Sequence, residues 1–509
     1  MFEALRFTSQ FGNAPQGKPR DPSEPMRLLV MGDFGGSRET PVESRKLHRV
    51  DVDNFDEVLE SLRPTIVIPT GVGSEPMRLE ITEMEHFHPD HLVEVLPEFE
   101  DLKSVRISLQ HPKTFEAAAK QLREMVPGFD GGTEDSPAAG LVDSAAETVP
   151  EESNADLFER VLGQTSVQNE LGRNASGDRT CQTSIDRLIH SIVAPYIEPK
   201  QDPRQDDYVS AVDSAISGHL REILHHPRFQ SLEANWRGLE ALVRKVTLSV
   251  NVQLYVLDAT AEELAAATQS DDSIEQSLLL KRLVHDRDQQ PWSLIVSTME
   301  FGNRADELIL LANLGAIAAF AGCPFIACAS PTLVGTFDWT DDIQTVENTL
   351  TADQENWESL RLNPVANFIA LVGPRVFARL PYGAATDPVE AFEFEEIPDP
   401  INSHDAFLWG PPSLAVAGLI GKSFLDRGWA MSLEDQCELS SLPAYTYKVD
   451  GEVELKPCAE AYLSERLADH LAQQGILPLV SFKNRDAARL YRYQSIANPA
   501  SSLRGPWNN

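Results

Sequence analysis

Short apolar runs alternate with amphipathic segments along most of the chain, and this pattern predicts an α/β fold, in part α+β. The runs MRLLVMG (26–32), WSLIVST (292–298), PFIACAS (324–330) and NFIALVG (367–373) have the length and apolar content of buried strands. Helical periodicity fills the interval between the second and third runs. Strand, helix and strand at this spacing indicate a βαβ unit, so we predict a parallel or mixed sheet covered by helices on both faces.

The apolar pattern predicts a first compact unit at 26–127. Within it, TIVIPT and MRLEITE have the character of strands, and Asp53–Leu62 forms an amphipathic helix for which Asp53 is a plausible N-cap. We predict a second helix over Phe87–Phe99, with Pro89 in its first turn. This unit is therefore expected to be a small α/β domain.

Two segments interrupt the apolar pattern. Residues 1–25 contain a strand-like stretch and then Gly and Pro, which indicates a loose N-terminal arm. Residues 128–184 form an acidic linker with few large apolar side chains, apart from a short amphipathic helix at 155–165. The second domain is predicted at 185–509.

One apolar stretch, from Leu308 to Ala329, is about as long as a membrane span needs to be. It is rich in Ala and is broken by Gly322 and Pro324. We therefore predict a buried helix that ends at Gly322 and is followed by a buried strand.

Composition limits the partners and the location that are expected for this protein. The chain of 509 residues carries 78 acidic and 43 basic side chains, a net charge of −35, so neither nucleic acid nor a membrane surface is expected as a partner. Its five cysteines include no CxxC pair, which fits a reducing compartment. The N-terminus has no signal-peptide pattern, so a cytoplasmic location is predicted.

One short motif could carry metal chemistry. His86, His88, Asp90 and His91 match the HxHxDH pattern of dinuclear zinc hydrolases. The competing interpretation is that Pro89 and Asp90 open a helix flanked by surface histidines. No convincing further ligands follow at strand ends, so a metal-dependent hydrolase remains the weaker hypothesis.

A second motif, Gly418–Ser423, ends like a phosphate-binding loop. The full pattern requires Gly at position 416, where this chain has Val416, and the surrounding residues predict one continuous helix. Neither motif gives a well-supported site, and we predict no cofactor and no enzymatic activity.

Longer strings resemble a known family. The segment 26–62 reads MRLLVMGDFGG and then ESRKLHRVDVDNFDEVLESL, which resembles the small sheath subunit of the type VI secretion system, the VipA, TssB or ImpB family. The resemblance continues through FHPDHLVEVLPEF. Its motif residues with an expected structural role are Gly32, Asp33, Phe34, Asn54 and Phe55.

Residues 205–496 resemble the large sheath subunit, the VipB, TssC or ImpC family. The specific strings are ILHHPRFQSLEANWRGLEALV, ARLPYGAATDPVEAFEFEE, HDAFLWGPPSLAVAGLI and GILPLVSFKNRDAARLYRYQSI. The expected fold or interface positions in these strings are Trp236, Arg237, Arg379, Pro381, Tyr382, Gly383 and Trp409.

The resemblance implies a structural protein with a sheath-type, three-layer α/β body. Such subunits assemble into a contractile tube around an inner Hcp-like tube on a baseplate, and a AAA+ ATPase disassembles the tube after contraction. A fusion of both subunits would fix their stoichiometry and raise their effective concentration for each other.

The resemblance also implies two contact segments. Leu5, Phe7 and Phe11 correspond to a strand exchanged between subunits, and Leu157, Phe158, Val161 and Leu162 correspond to the helix gripped by the ATPase. The chain stops about where the family's C-terminal strands would begin. A separate large sheath subunit is therefore an expected further partner, and a non-polymerising adaptor or terminal component remains the alternative to a sheath.

Overall fold

The computed structural model describes residues 20–68, 76–125, 204–246, 249–269, 274–285, 290–339, 352–449 and 451–507. The chain divides into two compact units, Met1–Glu100 with Ala215–Asn509, and Asp101–Ser214. These limits differ from the domain boundaries predicted from the sequence, which stay a prediction.

The main unit contains all of the described strands. In chain order they are β1 (Met26–Gly32), β2 (His48–Val50), β3 (Thr65–Ile68), β4 (Met77–Glu80), β5 (Val252–Asp258), β6 (Leu294–Phe301), β7 (Phe325–Ala329), β8 (Ile369–Gly373), β9 (Val376–Phe377), β10 (Trp409–Gly410), β11 (Glu438–Leu439), β12 (Thr446–Val449), β13 (Glu452–Leu455), β14 (Ile476–Ser481) and β15 (Ala488–Leu490).

The described helices lie between these strands. They are α1 (Phe55–Leu62), α2 (Pro89–Val95), α3 (Glu100–Gln110), α4 (Phe115–Met125), α5 (Gln205–Leu224), α6 (Pro227–Val246), α7 (Ala261–Thr268), α8 (Ala305–Ala321), α9 (Ala352–Arg361), α10 (Pro412–Arg427) and α11 (Glu465–Gln473), together with short helical turns.

Nine strands form one mixed sheet in the order β11-β15-β14-β8-β7-β6-β1-β5-β2. The six strands from β14 to β5 run parallel, and β2, β15 and β11 add antiparallel pairs at the two sides. This confirms the predicted α/β class. The unexpected feature is β1, which lies between β5 and β6 although about 220 residues separate it from β5 in the sequence.

Strand β1 is buried along its whole length. Met26 pairs with Val252 at one end of the β5 ladder, and Gly32 pairs with Asp258 at the other. Leu28, Leu29 and Val30 are fully buried. Each such side chain contributes roughly 1.5–3 kcal/mol of transfer free energy. A continuous apolar run is what a parallel strand needs when both faces of its sheet are covered.

Helices cover both faces of the sheet, which gives three layers. Helix α8 packs with alternate residues of β1, β6, β7 and β8 in the large core cluster. On the opposite face, Ser413 at the start of α10 donates to the carbonyl of Ser297 (2.7 Å) and lies 3.3 Å from the Cys328 sulfur. Helix α10 in turn packs against α6.

The smaller unit is helical in its described part. Gln205, at the start of α5, donates to the carbonyl of Leu109 (2.7 Å). Phe115 and Tyr208 meet edge to face at 5.6 Å, and Arg106 bonds to Asp213. An aromatic contact and an ion pair therefore tie α3 and α4 to the first turns of α5.

Two helix predictions need correction. Helix α1 begins at Phe55 with Asn54, and not Asp53, as its N-cap residue. The helix predicted over Phe87–Phe99 is shorter, because Leu96 is extended before Pro97 and helix α2 ends at Val95.

The apolar stretch from Leu308 behaves as predicted. Helix α8 ends where Gly322 adopts a left-handed conformation (φ 71°), and the buried strand β7 follows. Among the residues described, no helix combines the length and the apolar character needed to cross a bilayer.

Candidate functional site

The loop that follows β1 meets the rest of the sheet at its carboxyl edge. We call Gly32–Gly36 the GDF loop. Asp258, at the end of β5, accepts hydrogen bonds from the backbone amides of Phe34 (2.7 Å) and Gly36 (3.1 Å) and from Arg38 (2.8 Å). One buried carboxylate thus replaces the ladder hydrogen bonds that the backbone loses where β1 ends.

Burial raises the pKa of Asp258, because its desolvation outweighs the attraction of Arg38 and the Phe34 amide. A carboxylate in this position is held at an energetic cost. The ionised form of Asp258 is therefore destabilised by its burial in the fold. The apolar contacts around the GDF loop must offset this cost.

Helix α6 closes the GDF loop from the other side. The Asn235 amide donates to the carbonyl of Asp33 (2.9 Å), and the Trp236 indole donates to the carbonyl of Phe34 (3.1 Å). The Trp236 ring meets Phe34 and Phe55 edge to face, with centroids 5.2 and 5.8 Å apart. Residues of two motifs that are far apart in the sequence thus form one aromatic cluster.

Close packing explains Gly32. A Cβ atom added there would lie 2.2 Å from the Thr298 hydroxyl of β6. Gly32 therefore lets β1 approach β6 at the end of their shared ladder.

A second cluster, here called the ionic junction, consists of Glu233, Arg237, Arg379, Tyr382 and Glu396. Arg379 donates to Glu233 (2.6 Å) and to Glu396 (2.7 Å), and Arg237 donates to Glu233 (2.7 Å) and to the Tyr382 hydroxyl (3.0 Å). Glu233 has no exposed side-chain surface. Two carboxylates and two guanidinium groups thus neutralise each other inside the protein.

The ionic junction favours the charged forms of Glu233 and Arg379. Burial alone would raise the pKa of Glu233, but the positive charges and hydrogen bonds of Arg379 and Arg237 lower it below its usual value. The pKa of Arg379 is raised despite its burial, because Glu233 and Glu396 flank it. The pair at the centre of the junction is therefore charged in the folded state.

The ionic junction also contacts the N-terminal segment. The Tyr382 hydroxyl lies 3.5 Å from the carbonyl of Phe87, and the Tyr382 ring meets the His88 ring edge to face at 4.8 Å. The backbone amide of Glu390 donates to Asp90 (3.1 Å). The large-subunit-like string around Tyr382 thus holds the start of α2.

The histidine motif has structural partners at this position. The His88 ring accepts from the backbone amide of Asp90 as the N-cap of α2, and the His86 ring accepts from the amide of Thr82 (3.1 Å). His86 and His91 stack face to face, with centroids 3.8 Å apart. Within the described ranges, no group of three or more His, Cys, Asp or Glu side chains is arranged to hold a metal ion.

The phosphate-loop-like motif lies within helix α10, as the sequence predicts. Gly418 and Lys422 are interior residues of Pro412–Arg427, so the backbone amides there belong to a continuous helix. A phosphate cradle needs amides that are free of helix hydrogen bonds. The geometry therefore gives no support to nucleotide binding at this motif.

The remaining predicted positions lie near these clusters or outside the described residues. Trp409 stacks on Phe377 (4.3 Å) and donates to the carbonyl of His404 (3.2 Å), and Gly383 allows the close approach of Glu395. The roles assigned to these positions stay predictions. The residues proposed for strand exchange and ATPase recognition lie outside the described part: Leu5, Phe7, Phe11, Leu157, Phe158, Val161 and Leu162.

Three carboxylates of these clusters, Asp258, Glu233 and Glu396, were not predicted from the sequence. In a chain with 78 acidic residues, an isolated Asp or Glu gives no signal. Asp258 ends an apolar strand and Glu233 lies on the apolar side of an amphipathic helix, so their position within buried patterns was the available clue.

Comparison with known proteins gives the family. A family model for VipB, described as EvpB/VC_A0108, tail sheath N-terminal domain, matches residues 206–497. A second model, described as type VI secretion system, VipA, VC_A0107 or Hcp2, matches residues 6–127.

Two similar proteins of Pseudomonas aeruginosa carry matching names. The type VI secretion system sheath protein TssC1 is 33% identical over 308 residues, which are 58% of this chain and 62% of TssC1. The sheath protein TssB1 is 26% identical over 110 residues, which are 20% of this chain and 64% of TssB1. The chain thus spans less than two thirds of either relative. Because the VipB match covers more than half of the chain and the VipA match covers its N-terminal part, the chain belongs to the type VI secretion sheath protein family as a fusion of a small and a large subunit.

Proposed function

We propose that this chain is a structural subunit of a type VI secretion contractile sheath, which assembles around an inner Hcp-like tube and contracts to drive secretion. One observation carries the proposal. Strand β1 of the VipA-like segment lies between β5 and β6 of the VipB-like part, so both segments share a single sheet. A body of this kind moves as one piece, as a mechanical element must.

The two clusters described above support this proposal, because they are built for structure. Their charged groups are paired with each other or with backbone amides. Burial raises the pKa of the Cys328 thiol to about 12, so it is a poor nucleophile. A structural role without catalysis is therefore the function that we propose.

The proposal includes the partners expected of a sheath: further copies of this chain, a separate large subunit, the inner tube, baseplate proteins and a AAA+ ATPase. Strand exchange through Leu5, Phe7 and Phe11 and ATPase recognition through Leu157, Phe158, Val161 and Leu162 are part of it. The proposed location is the cytoplasm.

Electron microscopy tests the proposal directly. The full chain, expressed alone and with a tube-forming Hcp-like protein, is examined by negative staining. The expected result is hollow tubes or stacked rings that occur in two discrete lengths, one extended and one contracted. Monodisperse single particles under both conditions would favour the non-polymerising adaptor and contradict the sheath.

A second measurement addresses the metal-dependent hydrolase. Metal analysis of the purified chain is expected to find no stoichiometric zinc, and His88→Ala is expected to leave the metal content unchanged. About two zinc ions per chain, lost in His88→Ala, would instead support the hydrolase.

A further inference from the structure

The hairpin formed by β12 and β13 stands apart from the nine-stranded sheet. Its two strands pair only with each other in the described structure, from Thr446 opposite Leu455 to Val449 opposite Glu452. At its base, the backbone amide of Lys456 donates to the carbonyl of Tyr445 (2.9 Å), and the Tyr445 ring packs on Phe407 with ring centroids 5.3 Å apart. A two-stranded ribbon is marginally stable in water by itself, so this one depends on its anchored base or on a further strand.

The hairpin exposes both its side chains and its backbone edges. Thr446 and Lys448 on β12 and Glu452 and Glu454 on β13 are exposed, and Val453 is exposed by 67%. No hydrogen bond within the described residues joins the outward edge of either strand to another segment. Unpaired strand edges are templates for pairing with another chain.

The two edges carry opposite charge. The sequence of β12 is TYKV, with a lysine and no acidic residue, whereas that of β13 is EVEL, with two glutamates and no basic residue. Pairing of two β13 edges would place glutamates side by side. Within one hairpin Lys448 lies opposite Val453, so its side chain points to the other face from Glu452 and Glu454. Parallel pairing of β12 with β13 of a second copy turns that copy over and brings Lys448 onto the face of those glutamates, and opposite charges across a strand pair are stabilising.

From this pattern we infer that the β12–β13 hairpin is an interaction surface for the same hairpin of a second copy of this chain, with β12 of one copy paired in parallel to β13 of the next. Such a head-to-tail contact uses two different edges, so it does not close on itself and propagates along a row of copies. The inference rests on the proposed function and names one contact through which the copies would assemble.

Charged side chains on strand edges can also serve to prevent pairing. Protection of that kind is effective when both edges carry the same sign, because every approach of a second copy is then repelled. Lys448 on one edge and Glu452 and Glu454 on the other repel only like edges. The charge pattern thus favours the parallel head-to-tail arrangement over pairing of like edges.

The first test uses the unmodified full chain. Hydrogen–deuterium exchange of the backbone amides of 445–456 is followed as protein concentration rises, together with sedimentation velocity. Exchange at the hairpin is expected to slow in step with the formation of oligomers. Oligomers whose hairpin amides exchange as fast as in the monomer would overturn the inference while leaving the proposed function intact. A chain that forms no oligomer at any concentration, either alone or with the Hcp-like protein, would overturn both.

The second test reverses the edge charge. Lys448→Glu is expected to weaken association about tenfold, because both edges then carry the same sign. Lys483→Glu, an equal charge change on an exposed turn, is the matched control and is expected to associate like the wild type. Adding Glu452→Lys and Glu454→Lys to Lys448→Glu restores opposite edges and is expected to restore association. Equal weakening by Lys448→Glu and Lys483→Glu, or no recovery in the triple variant, would contradict the hairpin contact.

Discussion

The GDF loop and the ionic junction both join the VipA-like segment to the VipB-like part, but they do so with different chemistry. At the GDF loop, aromatic rings and backbone amides surround one carboxylate, Asp258, whose pKa is raised by burial. At the ionic junction, Glu233 has a lowered pKa because two guanidinium groups bond to it. Burial raises the pKa of both carboxylates, and the two guanidinium groups bonded to Glu233 reverse the net shift there, whereas Arg38 does not reverse it at Asp258.

The difference separates two tasks. The GDF loop continues a strand that is already held by ladder hydrogen bonds, so its carboxylate only has to complete the backbone. The ionic junction joins helix α6, the loop after β9 and the start of α2, which share no ladder. Long, branched guanidinium groups can bridge such gaps, with the geometric specificity of bidentate pairing.

The largest expected effect comes from removing one charge of the ionic junction. Glu233→Gln leaves Arg379 and Arg237 with a single carboxylate between them, and we expect a loss of about 3–5 kcal/mol in the free energy of unfolding. Urea denaturation followed by circular dichroism measures this loss.

The matched control is Glu240→Gln on the same helix. Glu240 pairs with Arg244, whose side chain is 73% exposed, so a change within about 0.5 kcal/mol is expected. Equal effects of the two substitutions would mean that the buried network is no more important than a surface pair.

A smaller effect is expected where β1 approaches β6. Gly32→Ala forces a methyl group against the Thr298 hydroxyl and should cost about 1–3 kcal/mol in the free energy of unfolding. Combining it with Thr298→Ala, which removes that hydroxyl, should recover part of the loss.

Gly218→Ala gives the reverse outcome for a glycine in open space. Gly218 lies inside helix α5, and a methyl group added there would meet no atom within 4 Å apart from its chain neighbours and the backbone of its own helix. The higher helix propensity of Ala is therefore expected to stabilise the fold by up to about 1 kcal/mol. Thermal melting of the Gly32→Ala and Gly218→Ala variants measures both changes in stability. Destabilisation by both substitutions would show that the contact with Thr298 is not the cause.

The pH dependence of stability should differ in sign between the two carboxylates. The folded pKa of Glu233 lies below the ordinary value of 4.5, so its stabilising contribution is present above that pH and is lost as pH falls. The folded pKa of Asp258 lies above the ordinary value of 3.8, so its contribution is present below that pH and is lost as pH rises.

Urea denaturation between about pH 3.5 and 7 can measure both signs. The stability advantage of the wild type over Glu233→Gln is expected to grow with rising pH, whereas its advantage over Asp258→Asn is expected to shrink. Parallel trends for the two variants would remove the electrostatic difference between the clusters.

The smallest expected effect comes from replacing Arg38, which follows the GDF loop in the sequence. Arg38 is about one third exposed and bonds to Asp258, so Arg38→Gln should cost about 1 kcal/mol or less in water. The same denaturation measurement in high salt should reduce the difference further. A cost as large as that of Glu233→Gln would mean that Arg38 is the main compensation for the buried charge of Asp258.

Local patterns in the sequence determined the elements of this protein. The apolar runs predict β1, β6, β7 and β8, and Gly322 predicts the end of helix α8, because burial and a left-handed terminal residue are properties that a short window of residues contains. The family strings also predicted Trp236, Arg379 and Tyr382 as fold or interface positions.

Only the tertiary structure decided where β1 lies and which charges meet. The neighbours of β1 are more than two hundred residues away in sequence, and no periodicity specifies such a pairing. In the same way, Glu233 and Arg379 are 146 positions apart. A local window cannot distinguish a solvated carboxylate from one enclosed by guanidinium groups, because that difference depends on which distant segments fold around it.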